Sequence, residues 1–544
     1  MKMIIRFFKN SMLTILCVTF AMNIAGAQSR NFTVGKSLEI QSNILKELSA
    51  FFVDTVNIEK LTVTGVNAML GSLDPYTEYI PEEAEQDLEM MTTATYGGIG
   101  SVIKKIDSVG VLITQPYEGS PAVKHGLEPG DVILKINGED VLPLKADECS
   151  AKMKGTPGTS VKFLVKKGRT GELKEYEVVR ERIHISDVSY YGLMDNSVGY
   201  IKIDGFTVGG AKDVKNALVS LKEQGAKRIM LDLRGNGGGL MDEAVNIVSL
   251  FVPKGTMVVS QKGRSEDSFF EHKTEEEPVD TGIPLMVLVN SGSASSSEIV
   301  TGALQDLDRA VVVGTRTYGK GLIQTIRSVG YGATLKMTVG KYYTPSGRCV
   351  QAIDYSHRNS DGSVGTVPDS LKKAFKTKGG RTVYDGGGIT PDSVINQEVY
   401  SRVALSLVLN DILGDYAIKY YTRNKNIAPA GKFSLSDAEY EDFVKYASKR
   451  DFDSRSAAQV QMEKMIESAK NEELYEYNKE LFDSIKAKLT LTKEEMLLLK
   501  KDEFKPLLEE EIVNKYYFTA GRVESIMRND SQLHKALELF IHNN

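Results

Sequence analysis

The strongest constraint on this chain is a pair of apolar strands, each of which runs into a turn of very small residues and then into a helix. Arg228 to Leu233 meets Gly235-Asn236-Gly237-Gly238-Gly239 ahead of the helical stretch Leu240 to Phe251. Pro284 to Val289 meets Ser291-Gly292-Ser293-Ala294-Ser295-Ser296-Ser297 ahead of the helical spacing of Ile299, Val300, Ala303, Leu304 and Leu307. Strand and helix alternate in the same way through Val198 to Ile203, Ala211 to Gln224 and Ala310 to Gly314. Continuous apolar strands between helices predict a layered α/β core, with function at the loops that follow its strands.

A chain of 544 residues exceeds what one core organises, so several domains are expected. Texture divides it at 1–27, 28–95, 96–182, 183–396 and 397–544. The first segment places Lys2, Arg6 and Lys9 before an apolar run from Met12 to Ala25, with Ala25-Gly26-Ala27 ahead of Gln28. That is the layout of a secretory signal peptide cleaved after Ala27, which predicts export to the periplasm or cell envelope. The second segment spaces Leu45, Leu48, Phe52, Leu61, Val66 and Leu70 as helices do, and its Leu73-Asp74-Pro75-Tyr76 reads as a turn between helices. The last segment is helical and charged, with a capping box at Thr492-Lys493-Glu494-Glu495, and reads as a solvated appendage. Its role is open; the helical ends leave room for a homodimer or an adaptor contact.

Hydrophobic residues make up 41% and charged residues 26%, with a net charge of −5, so there is no basic excess to recruit nucleic acid. Beyond the leader, Cys149 and Cys349 fall in different segments and are expected as unpaired thiols.

The third segment opens with Tyr96-Gly97-Gly98-Ile99-Gly100, then short strands at Ser101 to Ile106 and Val111 to Gln115. Gly119-Ser120-Pro121-Ala122 begins a short helix, Pro129-Gly130 turns into the strand Val132 to Ile136, and Asn137-Gly138 turns again. A helix near Lys145 to Lys154 and two strands complete a β-rich unit that resembles a PDZ domain. The resemblance implies that Gly98, Ile99 and Gly100 offer backbone N–H groups to a peptide's terminal carboxylate, while the next strand pairs with the peptide.

Chemistry is expected at three places. The serine turn exposes its hydroxyls at a helix N-terminus, where a developing oxyanion is favoured. None of the six histidines sits in a motif that would make it a base. Lys320, in Tyr318-Gly319-Lys320-Gly321, is the better base, because burial can lower a lysine pKa from ~10.4 by several units. Gln324, four residues on, is placed to hold the amine. The glycine cluster supplies bare backbone donors of the kind an oxyanion hole needs. Two nucleotide-binding readings fail on single residues. Leu240 stands where a dinucleotide loop needs its last glycine, and Gly321 stands where a P-loop needs Ser or Thr.

Together these motifs resemble the carboxyl-terminal processing, or tail-specific, protease family across roughly residues 40 to 395. In that family the second serine of Ser-Ala-Ser-Ala-Ser-Glu-Ile is the nucleophile, and a lysine in Gly-Lys-Gly follows 25 residues later. Here that serine is Ser295, and Lys320 follows it by 25. The resemblance further implies Gln324 as support and backbone N–H groups of Gly237 or Gly238 and of Ser296 as oxyanion donors. It extends to Leu73-Asp74-Pro75-Tyr76-Thr77, Tyr343-Thr344-Pro345-Ser346-Gly347 and Gly388-Ile389-Thr390-Pro391-Asp392. Ser296 and Cys349 replace an alanine and a serine that are usual there.

The expectation is therefore an α/β multidomain serine endopeptidase: a protease core carrying an inserted PDZ domain, a helical N-terminal segment and a helical C-terminal extension. Unfolded or tailed proteins would be its substrates, with no nucleic acid or nucleotide partner and no metal or cofactor. The competing expectation is an inactive scaffold whose PDZ domain only binds peptides.

Overall fold

The computed structural model describes residues 31–542. The expected leader, 1–27, lies outside the described residues. Two compact units divide the chain: residues up to Glu82 with Gln324–Thr338, and Glu83–Ile323 with Val339 onward.

In the smaller unit, helix 31–51 precedes helix Ile58–Gly71, whose cap residue Asn57 accepts the Lys60 N–H at 2.8 Å. The expected turn forms around Asp74, whose carboxylate accepts the Tyr76 N–H at 2.8 Å and the Thr77 hydroxyl at 3.1 Å. It leads into a strand, Glu78–Ile80, rather than into another helix. Glu78 pairs with Lys336 and Ile80 with Thr334, a contact some 250 residues away in the chain that no local pattern announces.

The larger unit contains the layered core. Its sheet runs in the order Val188–Met194, Val198–Ile203, Arg228–Asp232, Leu285–Val289, Val311–Gly314, Ser393–Val394. The first pair is antiparallel and the rest are parallel. Strand alternation sends Ile201, Leu231, Val287 and Val289 to one face, under Val214, Leu218, Val248, Ile299 and Leu304 of three helices. Tyr200, Met230, Met286 and Leu288 face the other way.

That second face is covered by the C-terminal helix Ser531–His542, through Leu533, Ala536 and Phe540. The C-terminal region is thus not a solvated appendage. It has its own core around Tyr416, Tyr440, Phe443, Leu508 and Ile512, and its last helix closes the second face of the six-stranded sheet. Most of its Glu and Lys lie on the outer faces of helices whose inner faces are apolar, with Glu509 and Lys515 as buried exceptions.

The PDZ-like segment forms a sheet ordered Ser101–Ile106, Gly110–Pro116, Val132–Ile136, Ser160–Lys166, Leu173–Val179, with helix Ala146–Met153 packed on it. Cys149 is buried in this segment, and both it and Cys349 are free thiols. No described helix is long and apolar enough to cross a membrane.

Candidate active site

Strands Arg228–Asp232 and Leu285–Val289 are neighbours, so the loops beyond their carboxyl ends meet. These are the glycine and serine turns. Ser293 Oγ donates to Leu233 O at 2.8 Å, Ala294 N–H to Asn236 O at 3.0 Å, Ser297 Oγ to Asn236 O at 2.9 Å and Ser296 Oγ to Gly239 O at 2.8 Å. Ser293, Ser296 and Ser297 therefore fasten the two turns together, while Ser295, at the N-terminus of the following helix, is the candidate nucleophile that the family spacing points to.

Ser295 itself has φ +55° and ψ −114°, outside the regions L-residues favour. Such backbone costs about 1–3 kcal/mol and persists where surrounding bonds enforce it. It turns sharply from strand to helix, leaving Ser295 half-buried at the N-terminus of Ser296–Asp306. Gly238, at φ +100°, lies directly against it: a Cβ there would sit 2.7 Å from the Ser295 Cβ. Only glycine serves at that position, for both conformation and space. The Gly238 N–H, one of the three expected oxyanion donors, is donated to Asn236 Oδ1 at 2.9 Å.

A buried link between the serine turn and the lysine loop is Glu298. One carboxylate oxygen accepts the Ser295 N–H at 3.0 Å and the Lys320 N–H at 2.8 Å; the other accepts the Gly319 N–H at 2.8 Å and the Thr317 hydroxyl at 2.6 Å. Burial pushes the Glu298 carboxyl above its ordinary range, and the four donors pull it back toward the ionised form they require. Tyr342 completes the clasp. Its hydroxyl lies 2.7 Å from Lys320 O and 3.1 Å from Ser295 O, and burial raises the phenol well above its ordinary value, so it remains a donor. The Tyr318 N–H adds a direct bond to Ser293 O at 3.0 Å.

Sequence reasoning assigns Glu298 no role and misses Tyr342. The signal for Glu298 is present, since Ser295-x-x-Glu298 has the spacing of a capping box. Tyr342 has no local signal.

The other motifs hold the lysine loop. Ile389 N–H donates to Thr317 Oγ1 and Thr317 N–H to Ile389 O at 3.1 Å. Arg348, wholly buried, pairs with Asp306 at 2.8 Å and so ties the Thr344–Gly347 turn to the end of the Ser296–Asp306 helix. The loop after Val311–Gly314 leads into a strand, Leu322–Gly330, so it has no helix N-terminus to cradle a phosphate. Gln324 belongs to the smaller unit, where its amide donates to Thr338 Oγ1 at 3.3 Å. Its supporting role comes from sequence alone.

In the PDZ-like segment the Ile99 and Gly100 carbonyls accept the Ala122 and Tyr117 N–H groups, each at 2.9 Å. Gly100 adopts φ +74°, and a Cβ there would sit 2.5 Å from the Ser120 Cβ. Strand Ser101–Ile106 is outermost in its sheet.

This combination defines a class: an α/β peptidase core with a serine turn and lysine loop, joined to a peptide-binding module. Residues 197–357 match Peptidase family S41, 112–167 the PDZ domain, and 403–540 the C-terminal helical domain of probable PDZ-proteases. The carboxy-terminal processing protease CtpA of Bacillus subtilis (strain 168) is 34% identical over 338 residues, which cover 62% of this chain and 71% of that protein. A probable CtpA-like serine protease of Staphylococcus aureus (strain MRSA252) is 34% identical over 321 residues, 59% of this chain and 64% of that one. Among solved structures, the photosystem II D1 C-terminal processing protease aligns over 65% of this chain and 91% of its own, at 24% identity and a TM-score of 0.34. The chain belongs to the C-terminal processing serine protease family, Peptidase family S41, and carries the family's PDZ domain. The match spans just under two thirds of the length of the staphylococcal relative.

Proposed function

We propose that the protein is a serine endopeptidase that captures C-terminal tails through its PDZ domain and cleaves peptide bonds with Ser295 as nucleophile and Lys320 as base. The observation that carries this reading is the shared acceptor at the site: one buried oxygen of Glu298 holds both the Ser295 and the Lys320 backbone N–H, fixing the two loops to each other. Lys320, in its neutral form, takes the Ser295 hydroxyl proton as Oγ attacks the scissile carbonyl. The N–H groups of Ser296 and Gly237 stabilise the oxyanion, and the protonated lysine returns its proton to the leaving amine. Water activated by the same lysine then releases the acyl-enzyme. Gln324 would orient the Lys320 amine.

The substrate's terminal carboxylate would seat on the N–H groups of Gly98, Ile99 and Gly100, its chain adding to the free edge of Ser101–Ile106. With an N-terminus that reads as an export leader, its substrates would be exported or envelope proteins, in the periplasm or cell envelope.

The test uses the chain from Gln28 with an unfolded reporter bearing an apolar C-terminal tail, products being read by mass spectrometry. Cleavage by the parent and by neither Ser295→Ala nor Lys320→Ala is expected. Binding of the tail by all three without cleavage would instead favour the peptide-binding scaffold.

A further inference from the structure

The glycine loop beside Ser295 begins at Arg234, whose side chain reaches the C-terminal helices. Its guanidinium grips Asp232 through Nε at 3.0 Å and Nη2 at 2.6 Å. Nη2 also lies 2.7 Å from Asp530, and Nη1 donates to Gln532 Oε1 at 3.0 Å. The Arg234 carbonyl accepts from Lys202 Nζ at 2.6 Å. Arg234 and Asp530 side chains are each only 12% exposed, so both charges interact at reduced dielectric.

Asp530 caps the helix Ser531–His542, accepting the Leu533 N–H at 2.9 Å, and Gln532 donates to Ile395 O at 2.6 Å. Leu533, Ala536 and Phe540 anchor the same helix on the catalytic sheet. One step further along the loop, Gly235 N–H donates to Asn290 Oδ1 at 2.9 Å, which also accepts the Gly292 N–H at 2.9 Å. Displacing Arg234 therefore moves both the glycine loop and the serine turn. A cavity of about 820 Å³ borders Arg234, Gly235, Asn290 and Asp530. On this side the loop is held by hydrogen bonds and charge rather than by dense packing.

We infer that the C-terminal helix is part of the catalytic apparatus, with Arg234 and Asp530 as positioning residues that set the oxyanion loop against Ser295. The inference deepens the proposed function and rests on it. Oxyanion donors act through placement, and removing one typically costs about 10²–10³-fold in kcat. Loosening the strut that places them acts on kcat while leaving substrate capture by the PDZ groove unchanged.

The test measures cleavage of a tailed peptide by the full chain and by Asp530→Asn, Asp530→Glu and Glu538→Gln, the last an exposed position on the same helix. Asp530→Asn is expected to lower kcat by roughly 10-fold, with KM within about twofold and Tm close to the parent. Asp530→Glu should recover most of the rate, and Glu538→Gln should match the parent. The coupling is overturned if Asp530→Asn keeps parental kcat, or if its lost rate returns once the assay temperature is lowered to restore folded protein. Should Asp530→Asn not fold, Gln532→Leu is measured in its place, and parental kcat or recovery on cooling overturns the coupling there too. A parent that cleaves nothing overturns the proposed function and the coupling with it, whereas an active parent with an indifferent strut overturns the coupling alone.

Discussion

Glu298, between the serine and lysine loops, and Glu510, among the C-terminal helices, are both largely withdrawn from water, and their surroundings treat them in opposite ways. Glu509, next to Glu510 and held by Ser434, Leu435 and Arg528, sides with Glu298. Glu298 accepts three backbone N–H groups and a hydroxyl within 3.0 Å. Glu510, on the helix Lys501–Asn529, has a side chain 13% exposed and meets Arg522 only at 3.9 Å, with Glu511 adding a repulsive neighbour. Burial, eased by Arg522, leaves the Glu510 carboxyl raised to about 7. A buried carboxylate surrounded by donors organises its site. One with a distant partner strains its surroundings instead, because its desolvation is incompletely offset.

The comparison is tested most severely at Glu298. In Glu298→Gln the new amide group must point at donors on one side, leaving at least two buried N–H or O–H groups without an acceptor. Each such orphan costs about 1–3 kcal/mol, so a loss of ~3 kcal/mol or more is expected in denaturant unfolding, with cleavage down at least about 100-fold. A variant of near-parental stability and rate would show that the clasp is incidental.

At Glu510 the same substitution should act in the opposite direction. The folded-state pKa is raised from 4.5 to about 7, so the folded chain binds a proton more readily than the unfolded one. Its stabilising contribution is fully present below about pH 4.5 and is lost as pH rises through about 7. The span of some 2.5 units corresponds to ~3 kcal/mol. Glu510→Gln, which stays neutral, should therefore be more stable than the parent at pH 8 by ~2–3 kcal/mol and similar to it near pH 4.5. Urea unfolding at the two pH values checks this; equal differences at both would remove the contrast with Glu298.

The two carboxylates also mark how far the sequence could be read. The positions of the serine turn, the Lys320 loop and the glycine cluster beyond core strands were legible because each is written locally, in an apolar strand that ends in small residues. So were the core strands, whose apolar runs end where the glycines and serines begin. What Glu298 binds was not legible: its partners lie 19 to 22 residues away and are set by tertiary packing, although the capping-box spacing hinted that it turns back on the helix end. The strand Glu78–Ile80 was hidden because its pairing is long-range. The C-terminal helices were misjudged for a different reason. Their charged outer faces dominate the composition, and only the amphipathic spacing of Leu533, Ala536 and Phe540 records that they cover a sheet.

The smallest effect is expected where the PDZ segment meets the C-terminal helices, and it extends the comparison from buried to exposed charge. Lys104, on the outer strand Ser101–Ile106, reaches Asp411 at 2.7 Å and Asp415 at 2.8 Å, with side chains between 29% and 49% exposed. Arg169 adds a bond to Asn424 O at 3.0 Å and lies over the Tyr421 ring. Water screens such pairs, and each contributes about 0–1 kcal/mol. Lys104→Ala should thus lower Tm by no more than about 2 °C, a small fraction of the Glu298→Gln effect. Because Lys104 lies on the strand assigned to peptide pairing, its loss should appear chiefly in KM for tailed substrates, with kcat nearly unchanged. A Tm loss as large as that of Glu298→Gln would mean that the PDZ segment is fastened as rigidly as the catalytic loops. A small loss confined to KM would mean that the molecule fixes its chemistry with buried hydrogen bonds and leaves recognition on contacts weak enough to adjust.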